Sequence, residues 1–298
     1  MSCAAIFMER TSNMKNIKGV IAYFLMLPAI VLGTLAMVSY GVTTSIWIQN
    51  IVIWIVGVVL GSVFIIRNEY KNISLSNVSY PIILVALLVL PFLFNGLDGV
   101  HRWLSLGPIN LYIASIILPL LIIHLWKLAL NNREHYVIGL TFITLVILLF
   151  QPDAGQLTAF ACAIAIIIWK KISNKMIKLL SIALTVVLVI VSWVFLDDLA
   201  PVPYVEKIIF LVADLGNIWL ILGVLSLLLL VFPFFFHGNK SITSLSLGVY
   251  FLMTMIVTLF GNFPMPIMGY GISPVIGYLI AITWLNKNIT NGSGSLVE

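Results

Sequence analysis

Charge is what this sequence has least of: only 8% of its 298 residues are Asp, Glu, Lys or Arg. A water-soluble surface wants roughly a quarter or more, so a soluble globular domain is excluded. Cysteine is nearly absent. Cys3 lies near the start and Cys162 inside an apolar run, which excludes a disulfide framework and gives no metal-like spacing. The four histidines (His101, His124, His135 and His237) are scattered and make no metal set. There is no G-x-x-x-x-G-K-S/T loop, so no ATP site is visible. No internal repeat is evident, which weighs against an inverted-repeat transporter.

What the chain does have is apolar sequence, 62% of all residues, with a mean hydropathy of +1.17. A spanning helix needs ~20 mostly apolar residues. Split at Pro, Gly and charge clusters, the apolar runs predict ten helices: 18–40, 45–66, 78–95, 109–130, 136–150, 154–169, 177–196, 205–236, 241–260 and 266–285. The expected fold is all-α, a polytopic membrane bundle of about ten transmembrane helices. The stretch after Lys18 is too long for a signal-peptide core, so it reads as an uncleaved first span. Residues 1–17 are then an N-terminal segment, 18–285 the transmembrane domain and 286–298 a tail.

The net charge of +5 is explained by topology rather than by nucleic acid. With the N-terminus cytoplasmic, thirteen Lys and Arg fall on inner segments and two, Arg102 and Lys207, on outer ones. That bias satisfies the positive-inside rule and predicts an even number of spans, with both termini cytoplasmic. The acids behave differently. Asp98, Asp153, Asp197, Asp198 and Glu206 fall outside, which places the expected chemistry there.

Four outer segments are candidate sites. In NGLDGVHRWLSLGP (95–108), Arg102 suits a carboxylate or phosphate, Trp103 suits the interface, and Gly107 allows a tight turn. A plain interfacial anchor would use the same residues. QPDAG (151–155) is a costly turn between two apolar runs. Pro152 disfavours helix at Gln151, and Asp153 either caps the next helix or faces a cavity as a partner of Arg102 or of a substrate group. GNFPMPIMGYGISP (261–274), with Pro264, Pro266 and Gly271, reads as a plain loop or as broken backbone lining a cavity. In DDLAPVPYVEKIIFLVAD (197–214), Asp197, Asp198 and Glu206 crowd a short loop. Like charges there would raise a pKa and create an acid or base; a plain solvated loop would carry the same residues. Asp214, eight residues beyond Glu206, would share its helical face and need a partner inside the bundle. GVVLG (57–61) suits close helix packing within the bundle.

Taken in order, these segments resemble the SEDS family (FtsW, RodA and SpoVE). GVHRWLSLG resembles the family's G-x-x-R-W-I-x-L-G and matches Arg102, Trp103 and Gly107. FQPDAG resembles L-Q-P-D-L-G and matches Gln151, Pro152, Asp153 and Gly155. PMPIMGYGIS resembles P-L-P-F-x-S-Y-G-G-S and matches Pro264, Pro266, Tyr270, Gly271 and Ser273. IIFLVADLG resembles I-F-A-V-x-x-E-E-L-G, with Asp214 on the second acidic position.

The resemblance implies ten spans, both termini inside, in the bacterial cell membrane. It implies a peptidoglycan glycosyltransferase that polymerises lipid II and works with a class B penicillin-binding protein in division, elongation or sporulation. Arg102, Trp103, Gln151, Tyr270 and Ser273 would bind substrate, and Glu206 or Asp153 would be the catalytic base or a metal-ion ligand. No cofactor is evident. A divalent cation would help the pyrophosphate leave, but nothing in the sequence specifies one.

The chain also departs from the family. YIAS (112–115) and Leu118 replace its Q-P-S-E and lysine, and the large loop between spans seven and eight is reduced to about eight residues. The family's proposed catalytic aspartate aligns with Val205, beside Glu206. The alternatives are a non-catalytic envelope scaffold or regulator, and a transporter of lipid-linked precursor.

Overall fold

The computed structural model describes residues 19–66, 78–107, 109–236 and 241–290. Each of the ten apolar segments contains helix. In chain order the main helices are α1 (Gly19–Ser39), α2 (Thr44–Ile66), α3 (Ser79–Leu93) and α4 (Ile113–Leu130). Then come α5 (Glu134–Phe150), α6 (Ala154–Lys171) and α7 (Lys175–Val194). The last five are α8 (Pro203–Glu206), α9 (Ile208–Asp214), α10 (Asn217–Phe236), α11 (Ile242–Leu259) and α12 (Ile272–Thr290). Among the described residues, seven are long and apolar enough to cross a membrane, and α3 and α5 are shorter apolar helices. The chain is a polytopic helical membrane protein.

α4, α6 and α11 form the interior, while α2 and α7 are largely outward-facing. The small residues Ala159, Ala161 and Ala163 let α6 lie close to its neighbours, which is how helices associate in lipid. The 57–61 motif also works inside the bundle: Gly57 abuts Leu279 and Gly61 abuts the Tyr23 ring. The Asn286 amide donates to Gly19 O at 2.7 Å. The start of α1 and the last turns of α12 therefore sit at one end. Residues 1–17 lie outside the described residues, as does 291–298. α12 continues to Thr290, beyond the expected boundary at 285.

Three local features differ from expectation. The fourth helix starts at Ile113 rather than 109, because residues before it pair as an antiparallel hairpin, β1 (Trp103–Leu106) with β2 (Ile109–Tyr112). Gly107 makes its turn at φ +61°, a conformation open to glycine. The tenth helix starts at Ile272, and 260–271 is irregular backbone entering the bundle.

The eighth helix is not continuous. It breaks at Lys207 and again at Leu215–Gly216, where Gly216 has φ +125°. A Cβ on Gly223 would lie 3.1 Å from both Ile209 and Val212. In one straight helix residues 212 and 223 would be roughly 16 Å apart along the axis. α9 therefore folds back alongside α10 instead of extending it.

Candidate functional site

A cavity of about 560 Å³ opens between the 95–112 loop, the 199–206 strap and the 262–274 entry. Of the expected site residues, Arg102, Trp103, Glu206, Pro264, Tyr270, Gly271 and Ser273 line it. Tyr112, Tyr204, Asn95, Asn110, Asn262 and Asp98 also border the space.

Arg102 is 2% exposed. Its Nη2 donates to the Asp197 carboxylate and to Pro152 O. The guanidinium packs between Trp103 and Phe263, 5.9 and 5.4 Å from their ring centres. Its Nε has no partner among the described residues. Burial disfavours the cation, but Asp153, Tyr112 and Asp197 outweigh it, so Arg102 holds its proton more tightly than usual. The expected Arg102–Asp153 contact is thus corrected. The arginine bonds the turn through Pro152 O and takes its carboxylate from Asp197, which the notion of a crowded acidic loop had set beside Glu206. Asp198 is exposed, so that loop is not a like-charge cluster.

Asp153 is fully buried behind the cavity wall. Oδ1 accepts from Gln156 N at 3.1 Å, capping α6, and Oδ2 accepts from the Tyr112 hydroxyl. Burial raises its pKa against the opposing effects of Arg102 and Tyr112. Gln151 is also buried and donates to Leu88 O at 2.6 Å. Gly155 leaves room for the Phe263 ring, which an added Cβ would meet at 2.6 Å. QPDAG is therefore the floor behind the cavity rather than its lining.

Glu206 ends α8 with 9% exposure. Its Oε2 accepts from Val202 N at 2.7 Å. Burial raises its pKa, opposed by that hydrogen bond. Its neighbour Val205 is tied by its backbone: Val205 O accepts from Met265 N at 3.0 Å, and Tyr204 O accepts from Tyr270 N at 2.9 Å. Leu199 O accepts from Asn262 Nδ2 at 3.1 Å. Backbone and side-chain hydrogen bonds thus join the strap and the broken entry into one wall.

That entry is held from α2 as well. Asn50 donates to Gly269 O at 2.8 Å and accepts from Gly271 N at 3.2 Å, while the Tyr270 hydroxyl donates to Gln49 at 3.1 Å. Ser273 Oγ accepts from Tyr112 N at 2.9 Å. Pro266 O accepts from Met268 N at 2.8 Å. Buried Ile267 has φ +69°, rare for a β-branched residue.

Besides Gln151, Pro152, Asp153 and Gly155 behind the wall, three more expected residues do not line the cavity: Gly107 at the hairpin tip, Pro266, and Asp214. Asp214 is exposed at the end of α9. The shared helical face with Glu206 fails because Lys207 separates two helices. Sequence reasoning overlooked Tyr112, Tyr204 and the Gln49–Asn50 pair. The last carried a signal, being two amides inside an otherwise apolar span.

No family model matches the sequence, and no curated protein does. Solved structures do. Thermus thermophilus rod shape determining protein RodA aligns over 90% of this chain and 96% of its own, with TM-score 0.63 and 15% identity. Its aspartate-to-alanine mutant gives the same score and identity, over 90% and 97%. A chain from a structure described as a peptidoglycan synthase complex coordinating polymerization and crosslinking aligns with TM-score 0.62 and 17% identity, over 90% and 97%. The chain therefore shares the fold of RodA, the architecture its ordered motifs implied.

Proposed function

We propose that this chain is a divergent SEDS protein of the bacterial cell membrane that uses lipid II as a glycosyltransferase. One observation carries the reading. In a fold shared with RodA, a buried carboxylate whose pKa is raised, Glu206, borders a cavity whose other walls include Arg102, Trp103 and Tyr270. Aromatic faces with amides, here Asn95, Asn110 and Asn262, suit a sugar ring.

Glu206 acts as general base. It takes the proton of the acceptor sugar hydroxyl as that oxygen bonds to the anomeric carbon of the donor. The bond from that carbon to the lipid pyrophosphate breaks, and the pyrophosphate leaves with the electron pair. A raised pKa suits a base working near neutrality. Arg102, enclosed in the cavity wall, contributes positive charge to the leaving group through its field. Asp153 is a positioning residue that fixes Tyr112 and the start of α6. Glu206 and Asp98 are the carboxylates on the cavity wall. A divalent ion entering with a phosphorylated substrate would meet these two carboxylates there and would help the pyrophosphate leave. Among the described residues no group of three or more His, Cys, Asp or Glu could hold one alone. A class B penicillin-binding protein is the partner the resemblance implies.

A second reading, a non-catalytic envelope scaffold, is favoured by the Arg102–Asp197 pair, which occupies the arginine internally. The test is glycan polymerisation from lipid II by the purified protein, with and without a penicillin-binding partner. The proposal expects polymer that Glu206→Gln abolishes. No polymer in either condition, with an envelope defect on deletion, favours the scaffold.

A further inference from the structure

We infer that the turn between α6 and α7, at the end of the bundle opposite the cavity, binds the headgroup of an anionic phospholipid. Lys170, Lys171, Lys175 and Lys178 fall within nine residues there. Two contacts bring further cations beside them. Lys171 Nζ lies 5.2 Å from the centre of the Trp126 ring, which brings the end of α4, with Lys127 one residue on, beside the turn. Ser173 donates from N at 3.3 Å and from Oγ at 2.9 Å to Glu134, which places Arg133 there. Glu134 is the acid of these turns, and it is engaged by Ser173. The buried Arg102–Asp197 ion pair lies at the other end of the bundle.

The second observation is apolar. Lys178 Nζ sits 5.5 Å from the centre of the Trp169 ring, and that ring is 56% exposed. Tryptophan prefers the headgroup level, and lysine lays its stem on apolar surface while its charge reaches water. Directly along α7 from the lysines run Met176, Ile177, Leu180, Leu184 and Val187, all exposed. A cationic rim continuous with a bare apolar lane fits a phosphate that carries acyl chains. A free phosphate would make no use of the lane. Basic pockets between helix ends recognise anionic lipid headgroups in this way. The inference stands on its own observations, independent of the cavity chemistry.

The experiment uses the full chain purified in detergent, with native mass spectrometry during titration by phosphatidylglycerol or phosphatidylcholine. Phosphatidylglycerol is expected to stay bound where phosphatidylcholine does not. Lys171→Gln/Lys178→Gln should lower its retention about tenfold, as two headgroup cations are lost. Lys171→Arg/Lys178→Arg should restore retention, which separates charge from misfolding. Lys207→Gln, at the cavity end of the bundle, should leave it unchanged. Brominated phosphatidylglycerol should quench tryptophan fluorescence, with the effect reduced in Trp169→Phe. Equal retention of the two lipids, equal loss in the control variant, or displacement by inorganic phosphate at matched concentration would overturn the inference.

Discussion

Replacing Asp197 by alanine removes the carboxylate partner of a guanidinium that is almost wholly enclosed. The Arg102 and Asp197 side chains are 1% and 8% exposed, so solvent cannot take over the lost contact. Breaking a buried pair by deleting one partner costs about 3–5 kcal/mol, because the other charge stays buried. Here Pro152 O still accepts from Arg102, and the charge of Asp153 lies nearby. The expected loss is therefore at the lower end, ~3 kcal/mol. Arg102→Met should cost less, ~2 kcal/mol, because the remaining carboxylate sits at the edge and keeps Leu199 N as a donor. Arg102→Met combined with Asp197→Leu should be close to neutral, as apolar replacement of a buried pair often is. Reversible denaturant unfolding in mixed micelles, run as a double-mutant cycle, gives all three values. The pair is shielded from solvent, so the coupling should persist at high salt. A loss under ~0.5 kcal/mol for Asp197→Ala, with no coupling in the cycle, would refute the reasoning.

Burial raises the Glu206 pKa, so polymerisation should fall as pH drops through a value above the ordinary glutamate range of ~4.3; a rate–pH profile with its acid limb at or below that range would contradict the base assignment. The same shift favours the protonated folded state. Its contribution to stability is present at low pH and lost as pH rises through the folded pKa, which pH-dependent unfolding of wild type against Glu206→Gln measures. Asp153→Ala removes the α6 cap and strands the buried Tyr112 hydroxyl, so unfolding should show a loss of about 2–4 kcal/mol from the two effects together. Gly33→Ala drives a Cβ into the Met268 carbonyl; overpacking against backbone should cost about 1–3 kcal/mol in the same assay.

The bundle was legible because lipid leaves the chain few choices: apolar runs of spanning length become helices, and Pro, Gly and charge mark their ends. The eighth segment, 205–236, reads as one long helix with a kink or fray, because its apolar residues run on past Lys207 and Asp214. Only Gly216 hinted at the turn back. The hairpin was missed because Trp103–Tyr112 carries few turn residues beyond Gly107–Pro108. At the site, motif spacing gave the right segments but not which side chains meet. Asp153 looked like a partner for Arg102 because both are rare charges on the same face. In the structure Tyr112, a residue without charge, takes the aspartate, and Asp197, ninety-five residues from Arg102, takes the arginine. Pairings at such separation leave no trace in local pattern. Asp214 was misplaced for the converse reason, since helical periodicity holds only within one unbroken helix.

The central claim is that the cavity beside Glu206 receives the lipid-linked sugar. A photo-crosslinking residue in place of Tyr204 or Asn262, both on the cavity wall, should capture lipid II in membranes, and one in place of Val187 on the outward face of α7 should not. Equal capture at Val187, or none at either cavity position in a folded protein, would contradict the account.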